Sequence, residues 1–188
     1  RTDYIDLYQF HSGTNEDYDN DQLWSFLNQQ VQYGKIRSLG LSISNNLVTS
    51  GDLYQVKKAK QLGITSIQVV YNRLVQKAEE TILPYCRSEE IGILARVPLA
   101  KGILSGKFNP DHTFKKSDPR GQFDVDYNAK FLRQVQEIKK KEIPDKIDMA
   151  QWALCWCLKN SAVTCVIPGC KNINQVKLNA SSVNLIKQ

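Results

Sequence analysis

A histidine closes the first apolar run of the chain, Arg1-Thr-Asp-Tyr-Ile-Asp-Leu-Tyr-Gln-Phe-His11. Side chains of an extended segment alternate, so Ile5, Leu7 and Gln9 share the face that carries His11. An imidazole can exchange a proton near neutral pH, and catalytic groups collect at the C-terminal ends of strands in parallel α/β folds. Taken alone, such a histidine is more often a hydrogen-bonded structural residue. His112, in a polar stretch, has no partner residue in the sequence and reads as solvated. The five cysteines, Cys86, Cys155, Cys157, Cys165 and Cys170, include no CxxC pair. Cys155 and Cys157 fall in an apolar helical pattern and Cys165 in an apolar strand, as small buried hydrophobes do; no metal site and no disulfide framework is expected, and a cytoplasmic location fits.

The net charge of +6 is dispersed, and Lys139-Lys140-Lys141 is the one tight basic run. It reads as a solvated helix face with Glu137 and Glu142 nearby. No basic stripe is interleaved with aromatics, so no nucleic-acid partner is expected; the positive balance would instead favour a phosphorylated small molecule. No apolar run reaches the roughly 18 residues that span a bilayer, so no membrane partner is expected either.

Strand-like runs occur at Tyr4–Phe10, Ile36–Leu41, Ser66–Val70, Ile91–Ala95 and Val163–Ile167. Helical periodicity falls between them, at Asp21–Tyr33 with Gly34 as its stop, Ser50–Leu62 with Gly63 as its stop, Ala78–Ser88, Asp148–Lys159 with Asp148 as N-cap, and Ile173–Ser181. This alternation predicts an α/β fold with parallel pairing through right-handed crossovers, its strands apolar on both faces. Between Ala100 and Asp126 the pattern breaks into Gly, Pro, Lys and Asp, too long for a mere connector, and Ser117–Phe123 has turn chemistry. An open five-stranded sheet would leave the apolar first strand as an edge, which proteins avoid, so an eight-stranded barrel of which this chain carries about five βα units explains the pattern better.

DYIDLYQFH at Asp3–His11, GKIRSLGLS at Gly34–Ser42, IQVVYN at Ile67–Asn72, PLAKGILSGKF at Pro98–Phe108 and VIPGCKNINQV at Val166–Val176 occur in that order. Together they closely resemble the C-terminal part of the aldo-keto reductase family, from its fourth barrel strand to its eighth helix. The resemblance implies a (β/α)8 TIM barrel, with residues 1–188 as the C-terminal portion of one domain and strands one to three upstream of Arg1. It implies reversible hydride transfer between a nicotinamide cofactor, NADP with NAD possible, and a small carbonyl substrate. The family works with Asp, Tyr, Lys and His: Tyr protonates the carbonyl oxygen, aided by Lys paired with Asp. His11 matches the histidine that orients the carbonyl, whereas the other three match nothing in this sequence.

The same resemblance nominates cofactor residues. Ser42 and Gln68 match groups that hold the nicotinamide carboxamide; the family's Asn is Ile43 here, with Asn45 or Asn72 as possible substitutes. Arg96 stands where a tyrosine usually stacks on the ring; a guanidinium can also stack, though it could equally be tied to a surface carboxylate. Val97, Leu99, Gly102 and Lys107 fit a loop strapped over the pyrophosphate, where glycine lets backbone N–H groups approach an anion. Gly169 and Lys171 lead into the last helix, whose N-terminus favours phosphate; Lys171 would meet a 2′-phosphate, which favours NADP. Gln175 and Asn179 follow on its next turns, Asn179 matching the adenine contact, while Leu178 replaces the usual acidic residue. The plain alternative for Gln175 and Asn179 is helix-surface polarity.

Three readings follow: an NADP-dependent reductase of small aldehydes or ketones, a non-catalytic cofactor-binding subunit resembling potassium-channel β subunits, or an unrelated open α/β sheet. The oligomeric state is open. Residues 1–188 alone, lacking the proton donor, are expected not to reduce carbonyls. NADPH oxidation by purified residues 1–188, abolished by His11→Ala, would overturn that expectation.

Overall fold

Short apolar runs punctuated by glycine form the strands seen in the computed structural model, which describes residues 2–122 and 125–186. The chain divides into two compact units: Arg1–Tyr71 with Val75–Arg96 and Ser161–Cys165, and Asn72–Leu74 with Val97–Asn160 and Val166–Gln188.

In the first unit β1 (Ile5–His11), β2 (Ile36–Ser42), β3 (Ser66–Val70) and β4 (Gly92–Arg96) pair in parallel, in chain order. β5 (Val163–Ile167) follows β4 in the sheet, and Thr164 Oγ1 accepts the Ile93 N–H at 3.0 Å. Helices α1 (Asn15–Tyr18), α2 (Asp21–Gln32), α3 (Asn45–Ser50), α4 (Tyr54–Gln61) and α5 (Ile82–Ser88) fill the connections. The Asn20 side chain caps α2 by accepting the Leu23 N–H at 3.1 Å, and Gly34 follows the helix with φ +70°. α2, α3 and α5 pack against β2, β3 and β4 respectively.

Register partners in a parallel sheet share a face, and Gln9↔Gly40↔Ser66↔Gly92 forms one row across it. His11↔Ser42↔Gln68 forms the next row on that same face. The opposite face carries Leu39, Leu41, Ile67, Val69, Ile93 and Ala95, all buried. The sheet is therefore two-faced: one side is apolar, and on the other Gly40, Ser42, Ser66, Gln68 and Gly92 stand among Ile5, Leu7, Val70 and Leu94. This corrects the expectation of strands apolar on both sides: glycine, serine and glutamine alternate with the aliphatics. β1 is also more open than its sequence suggests, with Ile5 49% and Tyr8 37% exposed. Two predicted helices begin later than expected: the one read at Ser50–Leu62 forms as α4 from Tyr54, and the one read at Ala78–Ser88 as α5 from Ile82. Gly51, at φ +72°, ends α3 and separates it from α4, and a 3₁₀ turn at Lys77–Glu79 precedes α5.

The second unit contains α6 (Val125–Glu142), α7 (Met149–Leu158) and α8 (Ile173–Ser181). Asp148 caps α7 through the N–H groups of Ala150 at 2.8 Å and Gln151 at 3.2 Å, as its sequence position predicts. Leu132, Val135 and Ile138 lay one face of α6 on Met149 and Ala153 of α7 and on Ile103 and Leu104. A bidentate ion pair from Arg73 to Glu142, at 2.6 and 3.0 Å, fixes the end of α6 to the Asn72–Leu74 segment. The stretch expected to be a long irregular loop holds two 3₁₀ turns, Ala100–Ser105 and Pro119–Gln122. Phe123, the last residue of the predicted turn segment, lies outside the described residues. Among the described residues no helix is long and apolar enough to cross a membrane. Cys86, Cys155 and Cys157 are buried thiols, whereas Cys165 is half-buried and Cys170 exposed.

A Cβ at Gly40 would lie 2.9 Å from Ser66 Oγ and 3.1 Å from both Leu7 Cδ1 and the Ser66 carbonyl oxygen. Gly40→Val should therefore cost about 1–3 kcal/mol in urea unfolding, the usual scale of overpacking. Gly169→Ala, with nothing within 4 Å of its Cβ, should leave stability unchanged.

Candidate functional site

The second unit holds a cavity of about 800 Å³, within the range of small-molecule sites. Its wall starts on a backbone that is left-handed over and over: Val97 at φ +56°, Ala100 at +47°, Lys101 at +55°, Gly102 at +88° and Gly106 at +69°. The three non-glycine residues carry strain of order 1–3 kcal/mol each, which the surroundings must hold in place. They do so by hydrogen bonds. Asn72, buried, donates Nδ2 to the Val97 carbonyl at 3.0 Å and accepts the Leu74 N–H at 3.0 Å. The Ala100 N–H also reaches the Val97 carbonyl, at 2.9 Å, and Gly102 N–H donates to Leu99 O at 2.8 Å. Arg120 Nη1 donates to the Lys101 carbonyl at 3.2 Å.

Arg120 is itself locked. Its Nε and Nη2 fork onto Asp118 at 2.8 and 2.6 Å, and its guanidinium lies against the rings of Phe108 and Phe114, 4.7 and 4.5 Å from their centroids. Its carbonyl accepts Asn128 Nδ2 at 2.9 Å. A side chain on Gly121 would put Cβ 2.0 Å from the Lys115 carbonyl, so this turn requires glycine. His112 stacks on the same cluster, 4.8 Å from each phenylalanine centroid, which corrects its reading as partnerless. The Arg120 side chain and N–H, bonded to Asp118, hold that carboxyl well below the usual carboxylate range, and the charge of Lys171 lowers it further.

The other wall is the entry to α8. Asn172 caps the helix by accepting the Gln175 N–H at 2.9 Å, and Gln175 Oε1 accepts the Lys171 N–H at 2.7 Å. Asn179 Nδ2 contacts Cys170 Sγ at 3.1 Å. The cavity brings together Val97, Leu99, Gly102, Lys107, Gly169, Lys171, Gln175 and Asn179, all nominated from the sequence. Phe108, Arg120 and Asp148 also line it and were missed. Asp118 and Arg120, two apart in a segment marked by turn residues, were the available signal.

The remaining nominated residues belong to the first unit. His11 is exposed at the end of β1, opposite Ser42. Ser42 is 2% exposed, and its Oγ has no hydrogen-bond partner among the described residues. Gln68 Nε2 donates to Gln9 Oε1 at 3.0 Å. Arg96, expected on a ring or a carboxylate, donates Nη2 to the Ile43 carbonyl at 3.3 Å, while its Nε is buried and unpartnered among the described residues. Burial pushes the Arg96 guanidinium below its ordinary pKa. Asn72, considered as a substitute carboxamide contact, serves the Val97 turn instead.

The second unit thus carries an anion-suited cleft and the first a row of polar strand ends. The chain belongs to the aldo/keto reductase family, whose model matches residues 1–187. It is 32% identical to the uncharacterized oxidoreductase YqkF of Bacillus subtilis over 98% of this chain and 56% of that protein. It is 28% identical to the aldo-keto reductase yakc (NADP(+)) of Schizosaccharomyces pombe, over 97% of this chain and 54% of that one. Among solved structures, the glycerol dehydrogenase AKR11B4 from Gluconobacter oxydans superposes with a TM-score of 0.79 at 27% identity, covering 99% of this chain and 54% of that one. The holo form of aldo-keto reductase AKR11C1 from Bacillus halodurans gives 0.70 at 27% identity, covering 97% and 56%. The α/β pattern is that of the TIM-barrel fold these relatives share. The chain spans just over half the length of the relatives it matches.

Because the Asp118 carboxyl is depressed, its stabilising pair with Arg120 is complete above the ordinary carboxylate pKa of about 4 and is lost as pH falls through the lower folded value. Hydrogen exchange at Lys101 and Gly102 should therefore accelerate at the acid end of a titration. Asp118→Asn should show that faster exchange already at neutral pH.

Proposed function

We propose that the whole protein is an NADP(H)-dependent reductase of small aldehydes or ketones, and that this chain holds its cofactor. The supporting observation is the cleft of the second unit, where a left-handed strap, Lys107 and the Lys171–Asn172 entry to α8 line one cavity. The residues fit the group. Gly102 takes the left-handed φ of the strap without a side chain over the cleft, Lys101, Lys107 and Lys171 supply positive charge, and an N-capped helix start favours phosphate. In the first unit, buried Ser42 Oγ and Arg96 Nε lack partners among the described residues, as atoms awaiting a polar ligand would.

When bound, NADPH supplies the hydride. Lys171 would hold its 2′-phosphate, the strap around Leu99 and Gly102 its pyrophosphate, and Asn179 its adenine. Ser42 and Gln68 would grip the carboxamide, with Arg96 against the ring. The fixed charge of Arg96 would disfavour the oxidised, cationic ring more than the reduced, neutral one. His11, reachable at the strand end, would orient the substrate carbonyl.

The test uses the full-length protein. Lys171→Ala should weaken NADPH at least tenfold while leaving NADH within about twofold, since one charge-assisted contact is lost. His11→Ala should lower kcat for a small aldehyde about 100-fold with NADPH affinity intact. Failure of NADPH to bind would overturn the cofactor role. Tight binding without any carbonyl reduction would instead support the regulatory-subunit reading.

A further inference from the structure

β1 and β3 are not neighbours; β2 runs between them, which separates their backbones by roughly 9–10 Å. Gln9 and Gln68 nevertheless meet, Gln68 Nε2 donating to Gln9 Oε1 at 3.0 Å. The contact crosses β2 where the register partner of Gln9 is Gly40, a residue with no side chain to stand between the two amides. Gln68 itself pairs with Ser42 one row further along the same face.

A glutamine amide offers two different ends, a donor and an acceptor. With Nε2 giving one of its two hydrogens to Gln9, Gln68 keeps Oε1 as its free acceptor, turned away from Gln9. Gln9 in turn keeps a buried Nε2 with no partner among the described residues, as does the hydroxyl of Ser42 in the neighbouring row. Buried donors without partners are costly, and their clustering around one oriented amide marks a place where a polar ligand completes the set. A primary carboxamide fits that set, since its NH2 can donate to Gln68 Oε1.

We propose that Gln9 is a positioning residue: it accepts from Gln68 across the gap at Gly40 and thereby aims Gln68 Oε1 at the carboxamide NH2 of the nicotinamide ring. The proposal rests on the cofactor reading above. It predicts that Gln9 governs affinity for the nicotinamide half of the cofactor and not for the adenosine half.

Dissociation constants of NADPH and of 2′-phospho-ADP-ribose, which lacks the nicotinamide, are to be measured on the full-length protein, Gln9→Leu and Gln9→Glu. Gln9→Leu should weaken NADPH about fivefold to tenfold and leave 2′-phospho-ADP-ribose unchanged. Gln9→Glu keeps an acceptor for Gln68 Nε2 and should restore NADPH binding to within about twofold. Equal weakening of both ligands, or an unaltered NADPH constant in Gln9→Leu, would overturn the role of Gln9. If Gln9→Leu fails to fold, Gln9→Glu still decides: a selective NADPH loss there refutes the acceptor role. No NADPH binding by the unmodified protein would remove the cofactor reading, and this inference with it.

Discussion

Burial of one face of the sheet is the constraint on which the first unit depends. Leu41, Ile67, Val69, Ile93 and Ala95 have no exposed surface, and their removal from water fixes the register of β2, β3 and β4. A shift of one residue would turn those aliphatics onto the other face and bury glutamine and serine in their place. The apolar side thus determines where Gln9, Ser42 and Gln68 stand, although none of its residues can touch a ligand chemically. Gly40 has a dual place in this scheme: its missing side chain admits Ser66 and Leu7 closely and lets two glutamines meet across a strand.

The second unit solves a different problem. Its strap has to keep non-glycine residues left-handed, a conformation the chain does not adopt without help. Asn72 restrains one end through the Val97 carbonyl and Arg120 restrains the middle through the Lys101 carbonyl. Arg120 can do this because Asp118 and two aromatic rings leave its guanidinium little freedom. Two segments apart in sequence, at Asn72 and at Asp118–Arg120, therefore set one short turn.

Much of this was legible in the sequence, and the exceptions have physical causes. Val163–Ile167 and Ser66–Val70 are strands with the predicted limits, because apolar β-branched runs end at turn residues. Asp148 and Asn172 cap helices where side-chain oxygens precede apolar periodicity. The helix read at Ser50–Leu62 starts only at Tyr54, because Gly51, whose left-handed φ the apolar spacing does not report, ends the preceding α3. The eighteen residues of α6 read mainly as polar, since Leu132, Val135 and Ile138 form a narrow stripe among charges. The cavity residues emerged through motifs, whereas Arg120 did not: its importance comes from the Lys101 carbonyl, a backbone atom that no side-chain pattern reveals.

The neutralisation of Arg120 by Asp118 also decides how the cleft responds to ionic strength. That cation is compensated at contact distance, so its pairing is a short-range matter that dissolved ions disturb little. Asp148, the carboxylate in the wall, is occupied with the amides of α7. Long-range attraction for an incoming phosphate therefore falls to lysines such as Lys107 and Lys171, both exposed to solvent. At physiological salt their field decays over about 8 Å, so capture of an anion slows as electrolyte is added while the architecture of the strap persists.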